Sequence, residues 1–305
     1  MTGEAAAPAT EAGVNAPGSI YDLGYRHYQG PRLGRPAAVR ALYLESLRAC
    51  FGIGRSARSK IIPFGLLLLA VVPAVVAVAI EAIAQGQIPS PIRYSNYLST
   101  VLQVLILFVA AQAPELVGRD QRYHVLSLYF SRALGRLDYA LARLGALTTA
   151  LLIIAVLPQV AIFAGKVLGA RDLAGALGDN LVKVPPIALS SVVAALLMAS
   201  LALAVASLTP RRAYATAAIF ALFYLTLTVF EIVAAIMADD AARYVHLLVP
   251  TAGVEGLTAW SFGTAPSVEA LAQANIPPAW YAAAFVLWTS AGLVVLLRRY
   301  ARIAA

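Results

Sequence analysis

The sequence is poor in charged residues and has one cysteine, and both shortages exclude whole classes of protein. Of its 305 residues, 12% are charged and 61% are hydrophobic, whereas soluble proteins average about 25% charged residues. With Cys50 alone, no disulfide can form within the chain and no cysteine-based zinc site can be assembled. A soluble fold, a redox protein and a structural zinc protein are therefore excluded.

Motifs for nucleotide binding and hydrolysis are also lacking. A P-loop needs two glycines separated by four residues and followed by Lys and Ser or Thr. The Gly-Lys pair of this chain, Gly165 and Lys166, has neither the first glycine nor the following hydroxyl residue. The three histidines, His27, His124 and His246, lie in separate segments. They therefore cannot form a zinc-binding helix or a Ser-His pair within the membrane. We therefore expect no catalytic residue, no bound cofactor and no metal in this chain.

Long apolar runs take the place of these motifs. A bilayer core about 30 Å thick needs roughly 20 helical residues. Six runs are close to this length: residues 61–80, 97–112, 144–165, 186–208, 213–235 and 279–297. The second is short, but it can extend back through Tyr94. Pro73 and Pro158 lie inside runs, where neighbouring helices can satisfy the freed carbonyls, so they indicate kinks. The sequence predicts an all-α integral membrane protein with six transmembrane helices over residues 61–297.

The distribution of basic residues predicts the orientation of these spans. Assigned alternately to the two sides, 18 of the 23 Lys and Arg residues fall on the side of both termini and 5 on the other. Basic residues are retained in the cytoplasm, so both termini, including the C-terminal tail 298–305, are expected there in a plasma membrane protein. The first twenty residues contain Glu4 and Glu11 and no apolar core, so we do not expect a signal peptide.

The N-terminal region is predicted to contain a tail, residues 1–35, and an amphipathic helix, residues 36–60. Apolar residues recur there at helical spacing: Val39, Leu42, Tyr43, Leu47, Cys50 and Phe51. We expect this elbow helix to lie in the cytoplasmic membrane interface, the alternative being a soluble helix packed on the protein's own loops. Residues 21–32 are aromatic and basic, as in a nucleic-acid-binding segment, but next to the membrane we expect them to form a docking or interfacial strip instead.

The cytoplasmic segment 113–143 carries most of the remaining charge. Apolar residues lie between its charged residues: Val125, Leu126, Leu128, Tyr129 and Phe130. A protruding segment of this mixed character is typical of an element that binds in a groove of a soluble protein.

This segment resembles the coupling loop of type-2 ABC transporter permeases. In that family an acidic residue and an arginine are followed by a leucine-rich turn, a Ser-Arg-Pro motif and a lysine. The matching positions here are Asp120, Arg122, Leu126, residues 130–136 and Arg143. The chain departs from the pattern at Ala133, where proline is common, and at Arg143, where lysine is common. The resemblance extends to the elbow helix, the six spans and a long outer segment, residues 239–278, expected to form short re-entrant helices or a plain loop.

The resemblance implies a permease subunit of an ATP-binding-cassette exporter. Such a subunit forms half of a translocation pathway, pairs with a second copy or a related permease, and recruits two separate P-loop ATPase subunits that bind ATP and Mg. The residues expected to contact the ATPase are Glu115, Arg119, Asp120, Arg122, Arg132 and Arg136. On this basis, reversing the charge of Asp120 should abolish ATPase association while the chain still folds.

Glu231 is the ionisable residue placed deepest in a predicted span, and such residues are candidates for function. It could line a polar pathway, pair with a cation on a neighbouring helix, or lie at the outer mouth of the span. Two other functions stay open for the chain as a whole. It could be a membrane scaffold or binding subunit without transport, or an ion-coupled secondary transporter, although such transporters usually have more buried polar residues.

Overall fold

The fold consists of helices that follow the apolar runs of the sequence. The computed structural model describes residues 30, 33–83, 93–131, 134–237 and 242–302, and the regular secondary structure of these residues is helical throughout. In chain order the helices are α1 (Gly34–Cys50), α2 (Ala57–Ile83), α3 (Tyr94–Arg122), α4 (Leu126–Phe130), α5 (Arg136–Leu168), α6 (Leu173–Leu181), α7 (Val184–Ser207), α8 (Arg212–Phe220), α9 (Thr226–Ile236), α10 (Ala242–Val245), α11 (Ala252–Phe262), α12 (Glu269–Ala274) and α13 (Pro278–Ala301).

Within the described part of the chain, six spans are long and apolar enough to cross a membrane: α2, α3, α5, α7, the joined pair α8 and α9, and α13. The predicted all-α membrane protein with six spanning helices is confirmed at this level of length and composition. The fifth span is continuous because one π-helical turn, Ala221–Leu225, joins α8 to α9. The second span begins at Tyr94, as its extension in the sequence allowed.

Helices α3 and α7 form the centre of the bundle. Their side chains are mostly buried, whereas those of α2, α13 and above all α8 and α9 are mostly exposed. Helix α7 packs against α3, α5 and α13. Gly292 of α13 meets α7 so closely that an added Cβ would lie 2.9 Å from the backbone carbon of Ser200. Close backbone approach through small residues is how helices associate in a bilayer, where burial of apolar surface gives little driving force.

The N-terminal helix differs from its prediction in length and in packing. Helix α1 ends at Cys50, and residues 57–60 of the predicted element belong to α2. The break lies at Gly52 and Gly54, which adopt positive φ angles of 65° and 84° that L-residues rarely adopt. The apolar stripe of α1 packs against the spanning helix α5, with Cys50 fully buried. Most of the predicted tail, residues 1–29 and 31–32, lies outside the described residues.

The predicted coupling loop is shorter than residues 113–143. Helix α3 continues to Arg122 through Pro114, and α5 begins at Arg136, so the connection comprises residues 123–135 and contains α4. The extra turns form because they carry residues that pack on the bundle, including the buried Val117 and Tyr139. Five of the six predicted docking residues therefore lie on spanning helices. The predicted C-terminal tail likewise begins inside α13, which runs to Ala301.

One end of the bundle gathers the predicted cytoplasmic residues. There α3, α7 and α13 finish, while α5 and α8 begin, as side-chain contacts between these termini show. We call it the arginine-rich end. It includes Arg35, Arg55, Arg119, Arg122, Arg136, Arg143, Arg211, Arg212, Arg298 and Arg299.

The opposite end carries the segment predicted as the long outer connection. Its described part contains the short helices α10, α11 and α12. Helix α11 packs against the spanning helices α7 and α13. Gly256 makes this packing possible, because an added Cβ would lie 2.1 Å from the ring of Tyr281.

Candidate functional site

A buried ion pair lies at the arginine-rich end, between α3 and α5. The Asp120 carboxylate accepts a hydrogen bond of 2.6 Å from the Tyr139 hydroxyl and pairs with the Arg143 guanidinium. Asp120 is 9% exposed and Arg143 is 4% exposed. Tyr139 and Arg143 are four residues apart on α5, so both side chains reach the same acceptor from one face of the helix. Buried charges are tolerated when they are paired, although the Nε of Arg143 is buried here without a hydrogen-bond partner.

The Arg143 guanidinium also holds α1. It donates to the Ser46 hydroxyl at 2.8 Å and lies 3.4 Å from the carboxylate of Glu45, which is itself 57% exposed. Its Cζ lies 5.2 Å from the centroid of the Tyr139 ring. One cation therefore joins α1, α3 and α5 through charged hydrogen bonds, which are about twice as strong as neutral ones.

The same cluster reaches α7 and α13. The rings of Tyr139 and Tyr300 have centroids 5.0 Å apart. The Gln121 amide donates to the Tyr300 hydroxyl at 3.3 Å and to the carbonyl of Ser207 at 3.0 Å. Four helices supply the residues of what we call the Asp120 cluster, and the Ser207 carbonyl joins α7 to it as a fifth helix. The cluster comprises Ser46, Asp120, Gln121, Tyr139, Arg143 and Tyr300.

Helix α4 lies over this cluster and borders an open groove of about 830 Å³. Its underside packs on Tyr139, because the rings of Tyr129 and Phe130 lie 5.7 Å and 6.1 Å from that ring. Burial raises the pKa of Tyr129 above its ordinary value. We call this cavity the α4 groove. It is lined by Arg119, Asp120, Tyr123, Val125, Leu128, Tyr129 and Ser131.

The α4 groove combines apolar and charged surface. Tyr123 and Leu128 are each 67% exposed. Beside them, Glu115 pairs with three arginines: Arg55 at 2.9 Å, Arg119 at 3.5 Å and Arg212 at 3.6 Å. One carboxylate shared by three guanidinium groups leaves an excess of positive charge. The arrangement can bind a partner that offers an apolar side chain together with acidic groups.

The predicted docking residues are only partly brought together. Glu115 and Arg119 lie beside the α4 groove, and Asp120 forms its floor. Arg122 lines a different cleft, with Arg211 and Arg212. Arg136 lies 3.5 Å from the carbonyl oxygen of Ala301. Arg132 lies outside the described residues.

The position of Asp120 corrects one expectation. Reversal of its charge cannot leave folding intact, because an arginine side chain there would face the buried Arg143 guanidinium. An uncompensated buried charge costs several kcal/mol. Asp120 is therefore a structural residue beneath the groove, and its substitution does not separate partner binding from folding.

Glu231 lies on an exposed part of α9, five residues before the helix ends. It borders a cleft of about 650 Å³ at the opposite end, together with Arg243, His246 and Glu269. The structure places it at the surface and not among the buried side chains of α3 and α7.

Two features of the structure differ from what the sequence predicts. The sequence predicts Arg143 at the end of the coupling loop, although an arginine four residues after Tyr139 and next to an apolar run is a signal for a buried pair. Glu255 was not singled out, yet it is buried on α11 and accepts a hydrogen bond of 2.8 Å from the Ser99 hydroxyl. Burial raises the pKa of Glu255, and the Ser99 hydrogen bond opposes that shift. Its lone charge in the apolar stretch 247–262 was the available signal.

No protein-family model matches the chain, and no curated protein matches it either.

Proposed function

We propose that this chain is the membrane-spanning permease subunit of an ATP-binding-cassette exporter. The observation that carries the proposal is the α4 groove, an exposed apolar and basic surface resting on a buried cluster that joins five helices. The six candidate spans, the charge asymmetry and the sequence resemblance in the coupling loop support the same function.

In this proposal a soluble P-loop ATPase binds at the α4 groove. The ATPase holds ATP and Mg, and its closure on ATP moves α4 relative to the membrane. Because Tyr129 and Phe130 pack on Tyr139, that movement reaches α5 and, through Asp120, α3. Packed helices switch between discrete arrangements more readily than they deform, so the displacement can change access to a pathway between subunits.

A second permease copy completes the pathway. Six spans supply half of it, and the sparsely buried surfaces of α2 and of α13 are available for pairing. Export of an amphiphile, a drug or a lipid suits the apolar character of these surfaces. The plasma membrane, with the arginine-rich end in the cytoplasm, is the proposed location.

A matched pair of substitutions tests the proposal. Leu128→Asp places a charge in the α4 groove, whereas Leu177→Asp places one on the exposed surface of α6 at the opposite end. If Leu128 anchors the ATPase, Leu128→Asp should weaken the association by more than about 30-fold, as expected for a hot-spot residue. Leu177→Asp should leave it unchanged.

The measurement is co-purification of a soluble P-loop ATPase with the tagged chain from cells that express it, with thermal stability in detergent as the control for folding. Retention of the ATPase and of its substrate-stimulated hydrolysis by a stable Leu128→Asp variant would refute the docking site. A complex that binds the ATPase but shows no nucleotide-dependent change in helix packing would instead favour a scaffold without transport.

A further inference from the structure

A second cleft lies at the arginine-rich end, apart from the α4 groove. It has a volume of about 580 Å³ and is formed by the end of α3 and the turn between α7 and α8. Its lining residues are Gln121, Arg122, His124, Pro210, Arg211, Arg212, Ala213 and Tyr214.

The charge of this cleft is strongly positive. Three arginines line it, Arg122, Arg211 and Arg212. None of its described lining residues is acidic. Glu115 is 3.6 Å from Arg212, but it also pairs with Arg55 and Arg119. A guanidinium group binds phosphate through a planar pair of donors, so adjacent arginines favour a phosphate ligand.

The backbone around the cleft adds to this preference. His124 has a φ angle of 53°, a left-handed conformation that non-glycine residues rarely adopt, and this residue also lines the cleft. The first turn of α8 also begins here, and its capping residue, Arg211, makes no side-chain hydrogen bond to the free N–H groups.

The location of the cleft indicates the source of the phosphate. Both α3 and α8 belong to spanning helices, so the cleft lies where spans leave the apolar core. Tyr214 is exposed, and its ring lies 5.6 Å from the Arg211 Cζ, as is typical of aromatic residues at a membrane interface. Exposed apolar residues continue from Tyr214 along the same span, at Leu225, Val229 and Ile232. Acyl chains can lie along that surface.

We propose that this cleft binds the phosphate headgroup of an anionic phospholipid. The arginines pair with the headgroup, and the exposed side of α8 and α9 contacts the acyl chains. Basic pockets at the ends of spanning helices on the cytoplasmic side are suited to such lipids. The inference is independent of the proposed transport function, because it rests only on the cleft and the adjoining span.

Lipid titration of the delipidated full chain in detergent, followed by native mass spectrometry, tests the proposal. The probes are phosphatidylglycerol, phosphatidylcholine with the same acyl chains, and inorganic phosphate. The wild-type chain should retain phosphatidylglycerol in preference to phosphatidylcholine. Arg122→Gln/Arg211→Gln should weaken phosphatidylglycerol binding by about 30-fold and leave phosphatidylcholine binding unchanged.

The matched control is Arg58→Gln/Lys60→Gln, which removes two exposed charges at the start of α2. It should leave the lipid preference intact. An equal loss in both double variants, or no preference in the wild-type chain, would overturn the proposal. Competition by inorganic phosphate as effective as that by the lipid would show a free-anion site instead. If the Arg122→Gln/Arg211→Gln variant bound phosphatidylglycerol as the wild-type chain does but lost an acidic protein partner, the proposal would also be overturned. Arg211→Gln alone, at an exposed position, serves if the double variant does not fold.

Discussion

Replacing Arg143 with methionine removes the cation that joins three helices of the Asp120 cluster. Methionine is long and apolar, so it occupies most of the same space without the charge. The Asp120 carboxylate then keeps the Tyr139 hydroxyl as a partner but loses its counter-ion, while remaining largely inaccessible to water. Ser46 loses the guanidinium that donates to its hydroxyl.

The expected cost of Arg143→Met follows from this burial. Removing one partner of a buried ion pair destabilises proteins by about 3 to 5 kcal/mol, since the remaining charge is uncompensated. Glu45→Gln provides the contrast, because Glu45 lies 3.4 Å from the same guanidinium but is 57% exposed. An exposed pair contributes about 0 to 1 kcal/mol. We therefore expect Arg143→Met to lower the free energy of unfolding far more than Glu45→Gln does.

Reversible unfolding in mixed detergent micelles measures these free energies. The double variant Asp120→Asn/Arg143→Met should cost less than the sum of its single variants, because it leaves no buried charge without a partner. The reasoning is refuted if Arg143→Met is no more destabilising than Glu45→Gln, or if the effects at positions 120 and 143 are additive.

Three further predictions concern packing, protonation and accessibility. Gly292→Ala should destabilise the bundle by about 1 to 3 kcal/mol in the same unfolding assay, because the added Cβ would meet the backbone of Ser200. Gly178→Ala should not destabilise it, because the space around Gly178 is open. Equal effects of the two substitutions would contradict the packing. Burial raises the pKa of Glu255 above 4.5, so its contribution to stability is full below that pH and declines as the pH rises through the folded-state pKa. Glu255→Gln should therefore flatten the loss of stability between acid and neutral pH, and an unchanged pH profile would count against a buried acid. Burial raises the pKa of the Cys50 thiol to about 12, so a maleimide should label this cysteine only when the chain unfolds. Rapid labelling of the folded chain at neutral pH would be inconsistent with the packing of α1.

The spans could be predicted from the sequence because the length of an apolar run is fixed by the bilayer itself. Runs of this kind are recognisable without knowledge of tertiary contacts. Their ends were harder to predict. Turns beyond the apolar core carry charged residues, and whether they stay helical depends on packing, as at Val117 and Tyr139. For that reason α3 and α5 extend further into the segment 113–143 than hydrophobicity alone indicates.

The candidate site was predictable as a region but not as an arrangement. The sequence indicated that residues 113–143 mix charge with apolar surface, and the structure places the α4 groove there. It could not indicate which charges are buried. The partners of Arg143 come from residues 45–46 and 120, and only the packing of α1 on α5 brings them together. Similarly, Glu255 meets Ser99 only because α11 packs into the bundle.

Photo-crosslinking from the α4 groove tests the central proposal most directly. A photoreactive residue in place of Leu128, which is exposed beside the groove, is irradiated in intact cells, and the cross-linked proteins are identified by mass spectrometry. The proposal predicts a cross-link to a soluble protein that contains a P-loop, and no such product when the photoreactive residue replaces Leu177 at the opposite end. Products at position 128 that contain only lipid, or only proteins without a P-loop, would contradict it.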